Sequence, residues 1–261
     1  MLCKCMNEWI IALFDLLLPR ACTVCETGLK EYEHSICREC ESHLPRTYFW
    51  KSEFNGMSEK LNHVLQEKYQ AMDFCISHRP FCKAAALYFY KGGFKSISRS
   101  LKYHADFRTG HDAACMLGKK LGTSPLFSDV DLIIPIPLHW MRYMSRGYNQ
   151  ASIIAEGLAS EMKGAQVDGK ILLRSRRTRS QATLSISEKA GNVHGAFSVN
   201  GARLAEVVKM NNIKHILLVD DVFTTGSTMS ECILALQLAI QNTIPANEIR
   251  ISAACLAFVG D

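Results

Sequence analysis

Ile216-Leu-Leu-Val-Asp-Asp-Val-Phe-Thr-Thr-Gly-Ser-Thr228 is the stretch on which the fold turns. Ile216 to Val219 is a short, unbroken apolar run, the pattern of a strand covered on both faces. Asp220 and Asp221 follow at the point where such a strand is expected to leave the sheet. Thr224 to Thr228 form a hydroxyl-rich turn around Gly226. From about Thr228 the period becomes helical, with Met229, Ile233, Leu236 and Ile240 on one face. The order is strand, acidic edge, hydroxyl-rich loop, helix.

Each part has a chemical use. A helix N-terminus presents unpaired N–H groups and the positive end of a dipole, so it takes a phosphate. Gly226 lets the backbone approach closely, and Thr224, Thr225, Ser227 and Thr228 add hydroxyls. Two carboxylates would repel that phosphate, but they suit a ribose diol or the water shell of a metal ion. A sugar phosphate satisfies both ends. Walker B segments and receiver domains also end a buried strand in Asp-Asp. This chain has no Gly-x-x-x-x-Gly-Lys-Ser/Thr loop, and the receiver pair belongs near a domain start.

Working outward, Asp131 to Pro137 is a second buried strand, whose prolines should end its pairing. Leu138 to Arg142 reads as loop, and Arg146-Gly-Tyr-Asn-Gln150 as the opening of a helix that runs to about Met162. Lys170 to Leu173 and Arg250 to Phe258 read as further strands. Strands and helices alternate from Asp131 onward, which predicts an α/β fold: a parallel sheet flanked by helices, with its ligand at the carboxyl ends of the strands. The basic run Arg174 to Arg179 leads into a polar, aperiodic segment, 180–194, of the kind that serves as a mobile functional loop. Upstream, Ala84 to Tyr90 reads as a strand, Leu61 to Tyr69 as a helix and 108–121 as another. A helix around Ile97, Leu101 and His104 carries Lys95, Arg99 and Lys102 on its other side, the face of a solvated helix or of a phosphate-binding one.

Near the start, Cys22-Thr-Val-Cys25 and Cys37-Arg-Glu-Cys40 are two knuckles separated by eleven residues. They offer the four thiolates of a closed, structural zinc site, with His34 and His43 nearby as substitute ligands. The predicted organisation is a helix and zinc-knuckle module over 1–50, a connecting α/β segment over 51–128, and the core over 129–261. Residues 1–18 form an amphipathic pattern (Trp9, Leu13, Phe14, Leu17), read as a docking helix.

The totals agree with a globular chain. It has 261 residues, 48% of them hydrophobic and 21% charged. The net charge of +5 suits a polyanionic ligand without by itself demanding nucleic acid. The apolar run Trp9 to Leu18 is too short to span a bilayer and lacks a signal-peptide cleavage pattern. The expected setting is therefore cytoplasmic, where clustered thiols bind metal and scattered ones pack in the core.

The loop Asp220 to Thr228 resembles the signature of type I phosphoribosyltransferases, which bind phosphoribosyl pyrophosphate. That resemblance implies Asp220 and Asp221 on the ribose hydroxyls and Thr224 to Thr228 around the 5′-phosphate. Further segments narrow it. Pro135-Ile-Pro-Leu-His-Trp140, Arg146 to Gln150, Arg177-Thr-Arg-Ser-Gln181, Asn192-Val-His-Gly-Ala-Phe197, Tyr90 to Gly92, Leu101 to Tyr103 and the four cysteines together resemble the competence-associated ComF family. One departure is Lys189, where the family usually has arginine; lysine keeps the charge but loses the bidentate fork.

The resemblance implies Mg²⁺-assisted transfer of a phosphoribosyl group to an acceptor that the sequence does not identify. His139 to Arg142 fall where the superfamily places its pyrophosphate loop, and Arg146, Arg177 and Lys189 are further candidates for the anion. The segment 176–194 would close over the site and exclude water. The family's association with natural transformation suggests another role, the handling of incoming single-stranded DNA alongside competence proteins. The Arg174 to Arg179 cluster, Tyr148 and Phe197 are compatible with it.

Overall fold

A computed structural model describes residues 20–71, 80–103, 106–174, 196–244 and 248–260. The expected helix at 1–18, Arg177, Lys189 and the expected closing segment lie outside these residues or almost wholly so. In chain order the elements are α1 (Arg38–His43), a 3-10 turn (Phe49–Lys51), α2 (Gly56–Ala71), β1 (Ala84–Phe89), α3 (Phe94–Tyr103), α4 (Phe107–Gly122) and β2 (Leu132–Pro135). There follow α5 (Trp140–Arg146), α6 (Gln150–Ala159), β3 (Gln166–Val167), β4 (Leu172–Arg174), β5 (Phe197–Val199), α7 (Gly201–Asn211), β6 (His215–Phe223), α8 (Ser227–Thr243) and β7 (Arg250–Phe258).

Five strands form one parallel sheet in the order β1-β7-β6-β2-β3. The connecting stretch 51–128 supplies its edge strand β1. The alternation of side chains along a strand explains the layers. In β6, Ile216 and Leu218 face one core with Met57, Leu61 and Leu65 of α2, Leu204 of α7 and the apolar face of α8. Leu217 and Val219 face the other with Ile97 and Leu101 of α3, Leu117 of α4 and Ile154 of α6. Each such fully buried side chain contributes about 1.5–3 kcal/mol of transfer free energy. The result is a three-layer α/β/α sandwich. Two of its helices pack very closely, since a Cβ on Gly157 of α6 would lie 2.8 Å from the His111 carbonyl oxygen of α4. Strands β4 and β5 form a separate antiparallel pair.

Three sequence expectations change. β6 does not end at Val219: it stays paired with β7 through Phe223, so Asp220 and Asp221 sit within the strand. Trp140–Arg146 is helix rather than loop, because His139 accepts the Met141 N–H through Nδ1 at 3.3 Å and so caps it. Arg146 therefore closes α5 instead of opening the next helix. Gly147, at φ 79°, ends the turn, and Asn149 caps α6.

The cysteine module packs on the start of α4. The Thr23 hydroxyl lies 2.9 Å from that of Thr109 and 3.3 Å from the Asp106 carboxylate, and the Ser35 hydroxyl donates to Asp112. Among the described residues no helix is long and apolar enough to cross a membrane.

Candidate functional site

The sheet delivers β6 and α8 to one end of the molecule, where the quoted stretch makes the turn. Gly226 there has φ 83°, in the left-handed region that favours glycine, and a Cβ at this position would lie 2.8 Å from the Phe223 ring. The helix that follows differs from its neighbours. Side chains cap α4, α5, α6 and α7, whereas α8 has no capping side chain. The start of α8 borders a notch of about 30 Å³ lined by Asp220, Thr224, Gly226, Ser227, Thr228 and Cys255. Among the described residues, a local bond occupies this end, the Ser227 N–H to the Thr225 hydroxyl at 3.4 Å. Such an end is suited to phosphate oxygens.

The two carboxylates differ. Asp221 pairs with Lys102 of α3, with Nζ 2.7 Å from Oδ2. Asp220 accepts the Asp221 N–H at 2.8 Å, and burial together with the neighbouring carboxylate pushes its pKa up to about 8. Burial and the neighbouring carboxylate thus favour the protonated form of Asp220, while Asp221 faces Lys102. Oxygen donors of this kind fit a hydroxyl pair or a hard cation such as Mg²⁺.

Lys102 links this pair to further cations. Arg142 and Arg146 of α5 line a cavity of about 320 Å³ with Lys102, Tyr103 and Tyr148. Arg146 lies over the Tyr103 ring, 5.6 Å from its centroid. His139 caps α5, which leaves Nε2 as its second ring nitrogen. Arg174, which the sequence reading left within a basic run, comes from the β4–β5 pair, with its guanidinium 4.9 Å from the centre of the Phe197 ring. Its Nε is buried without a hydrogen-bond partner among the described residues. Burial holds its pKa down, as does Arg142, while Asp220 and Glu231 pull it the other way. An unsatisfied guanidinium nitrogen within electrostatic reach of Asp220 is free to accept an anion. Lys102 and Arg174 are the two site residues the sequence reading missed as such.

The second site is the cysteine cluster. The Sγ atoms of Cys22, Cys25, Cys37 and Cys40 all lie within 4.8 Å of one another, and among the described residues neither His34 nor His43 joins them. Cys25 and Cys37 Sγ are 3.8 Å apart. A tetrahedron with Zn–S bonds of about 2.3 Å requires S···S distances of about 3.8 Å. Backbone N–H groups of Val24 and Cys37 point at Cys22 Sγ, and that of Cys40 points at Cys37 Sγ. Hydrogen bonding with Thr27 holds the Cys25 pKa down to about 6. Four thiolates so arranged are consistent with a structural zinc ion.

Comparison with known proteins agrees with the motifs. The chain is 35% identical over 103 residues to competence protein F of Haemophilus influenzae, a match covering 39% of this chain and 42% of that protein. It is 34% identical over 119 residues to the DNA utilization protein YhgH of Escherichia coli K12, covering 46% and 47%. It is 28% identical over 155 residues to competence protein ComFC of Streptococcus pneumoniae, covering 59% of each. These matches support the ComF family. They span about two fifths to three fifths of the relatives' lengths. No family model matches the chain, and no solved structure does. The site at the end of β6 and the cysteine cluster are the two features on which a function must rest.

Proposed function

We propose that the chain serves competence and DNA utilization, the roles named for its relatives, and that it works through a sugar-phosphate site at the end of β6. The observation that carries the site is the uncapped start of α8 at Gly226, set directly beside the Asp220–Asp221 pair. The start of α8 and the hydroxyls of Thr224 to Thr228 hold a phosphate. Asp220 and Asp221 take the hydroxyls of the sugar. Lys102 orients Asp221, while Arg142, Arg146 and Arg174 offer positive charge to further phosphate groups. Phosphoribosyl pyrophosphate is the ligand whose chemistry matches all of these groups. A structural zinc ion on Cys22, Cys25, Cys37 and Cys40 holds the N-terminal module against α4.

A second reading is phosphoribosyl transfer, favoured by the ring of cations beside the carboxylate pair. Mg²⁺, when bound with the donor, would neutralise charge on the pyrophosphate leaving group. The chain's own part is to fix the ribose through Asp220 and Asp221, and to stabilise the departing anion with Arg142 and Arg174.

Isothermal titration with phosphoribosyl pyrophosphate and Mg²⁺ tests the site. Binding by the wild type, with affinity at least about tenfold weaker in Asp220→Asn/Asp221→Asn, supports it. No heat with folded, zinc-loaded wild type overturns it.

A further inference from the structure

The last turn of α3 meets the site twice. Lys102 sets its Nζ 2.7 Å from Asp221 Oδ2, and the Arg146 guanidinium lies over the Tyr103 ring, 5.6 Å from its centroid. A helix end left to itself frays, because its last carbonyls have no partner within the helix. Two tethers hold this one. The Leu101 carbonyl accepts the Tyr148 hydroxyl, and the Ser100 hydroxyl donates to Asp106 Oδ2 at 2.8 Å.

Asp106 reaches beyond these two helices. It caps α4, where it accepts the Thr109 N–H at 3.1 Å and the Thr109 hydroxyl at 2.5 Å. The same carboxylate lies 3.3 Å from the hydroxyl of Thr23, which is also 2.9 Å from that of Thr109. Burial works to raise the Asp106 pKa, but the bonds from Thr109, Ser100 and Thr23 outweigh it and hold the carboxyl below its ordinary value. Asp106 is thus a charged acceptor, whose hydrogen bonds are the strong kind. Thr23 stands inside the first knuckle, between Cys22 and Cys25, and both its N–H and its hydroxyl lie 3.0 Å from the Ser35 carbonyl oxygen, two residues before Cys37. The arrangement of the four thiolates therefore bears directly on where the Thr23 hydroxyl stands. One carboxylate joins the cysteine module, α3 and α4.

We infer that Asp106 is a positioning residue: it fastens the cysteine module to the last turn of α3, sets Lys102 against Asp221, and so lets the metal loading of the module tune ligand affinity at the end of β6. The inference rests on the sugar-phosphate reading for its consequence, not for the relay itself. The path is short. It runs from Thr23 to Asp106, across to Ser100, and two residues along the helix to Lys102. With the charge of Asp106 removed, Ser100 keeps only a neutral partner and the turn loosens. Lys102 then no longer compensates Asp221, which stands beside a second carboxyl that must also take part in holding the sugar.

Two readouts on the full, zinc-loaded chain test the relay. The first needs no ligand: NMR of protein carrying isotope-labelled lysine, with the Lys102 Cε signal assigned by its absence in Lys102→Met. Asp221→Asn should move that signal. Asp106→Asn and Thr23→Val should move it in the same direction, Thr23→Ser should leave it at the wild-type position, and withdrawal of zinc should move it too. The second readout is titration with phosphoribosyl pyrophosphate and Mg²⁺. Asp106→Asn should weaken binding roughly 3- to 30-fold, but less than about 2-fold in the Lys102→Met background, because its effect runs through Lys102. A Lys102 signal unmoved by Asp106→Asn overturns the relay, whatever the titration shows. An equal loss of affinity in both backgrounds also overturns it. A signal that moves in Asp106→Asn but not on zinc withdrawal overturns the control by the module's metal. A moved signal with no heat from wild type upholds the relay and counts against the sugar-phosphate reading alone.

Discussion

Replacing Asp220 by Asn should stabilise this protein, and the gain should grow with pH. In the folded chain Asp220 holds its proton to about 8, well above the ordinary carboxylate value of 3.8, because it is buried and lies beside Asp221. The unfolded chain gives up the same proton near 3.8. Between those values the folded state binds more protons than the unfolded one, so this residue makes stability fall as pH rises from about 4 to about 8 and has no further effect above that. A rise of this size at about 1.4 kcal/mol per pH unit sets a ceiling of about 6 kcal/mol. Two effects reduce it. Asn gives up the attraction of Lys102, and part of the side chain reaches solvent. A gain of about 1–3 kcal/mol at pH 9 remains, or about 2–12 °C in Tm for a chain of this size. Near pH 4.5 the variant and wild type should melt within about 1–2 °C of each other. Calorimetry of both proteins from pH 4.5 to 9, in magnesium-free buffer, reads the difference directly. A Tm difference that stays constant across that range, or a variant less stable than wild type at pH 9, refutes the account of the pair.

Two further outcomes follow from the geometry. Gly226→Ala places a methyl at φ 83° and 2.8 Å from the Phe223 ring, so it should cost about 2–4 kcal/mol and abolish sugar-phosphate binding, as read by calorimetry and titration; a Tm within about 1 °C of wild type would show that the loop tolerates the change. Removal of metal by a strong chelator should release about one zinc ion per chain and lower Tm by more than about 5 °C, since Thr23 and Ser35 anchor the cysteine module on α4; Cys22→Ser should purify without zinc, and a zinc content equal to wild type contradicts the assignment.

What could be read from the chain alone divides along a physical line. Arg250–Phe258 was legible as a strand to the residue because, apart from Arg250 and Ser252, both of its faces are apolar, as in a strand covered on both sides. The cysteine knuckles were legible because four thiolates with one spacing have few other uses. The end of β6 was not, since Asp is depleted in strands and Asp220 and Asp221 read as an exit; pairing with Cys255 and its neighbours on β7 overrides that local preference. Helix α5 was missed because it buries no residue and so shows no apolar period, while its cap, His139, is an uncommon one. The same reason hid the site's cations. Lys102 stood on a basic helix face and Arg174 in a basic run, and in sequence both look like solvated charge. Only the packing of α3 against the end of β6 brings Lys102 to Asp221, and only the antiparallel pairing of Arg174 with Phe197 turns that guanidinium inward. The fold was therefore readable wherever burial wrote a period into the chain. The anion-binding half of the site was not, because positive charge acquires its meaning from what stands opposite it.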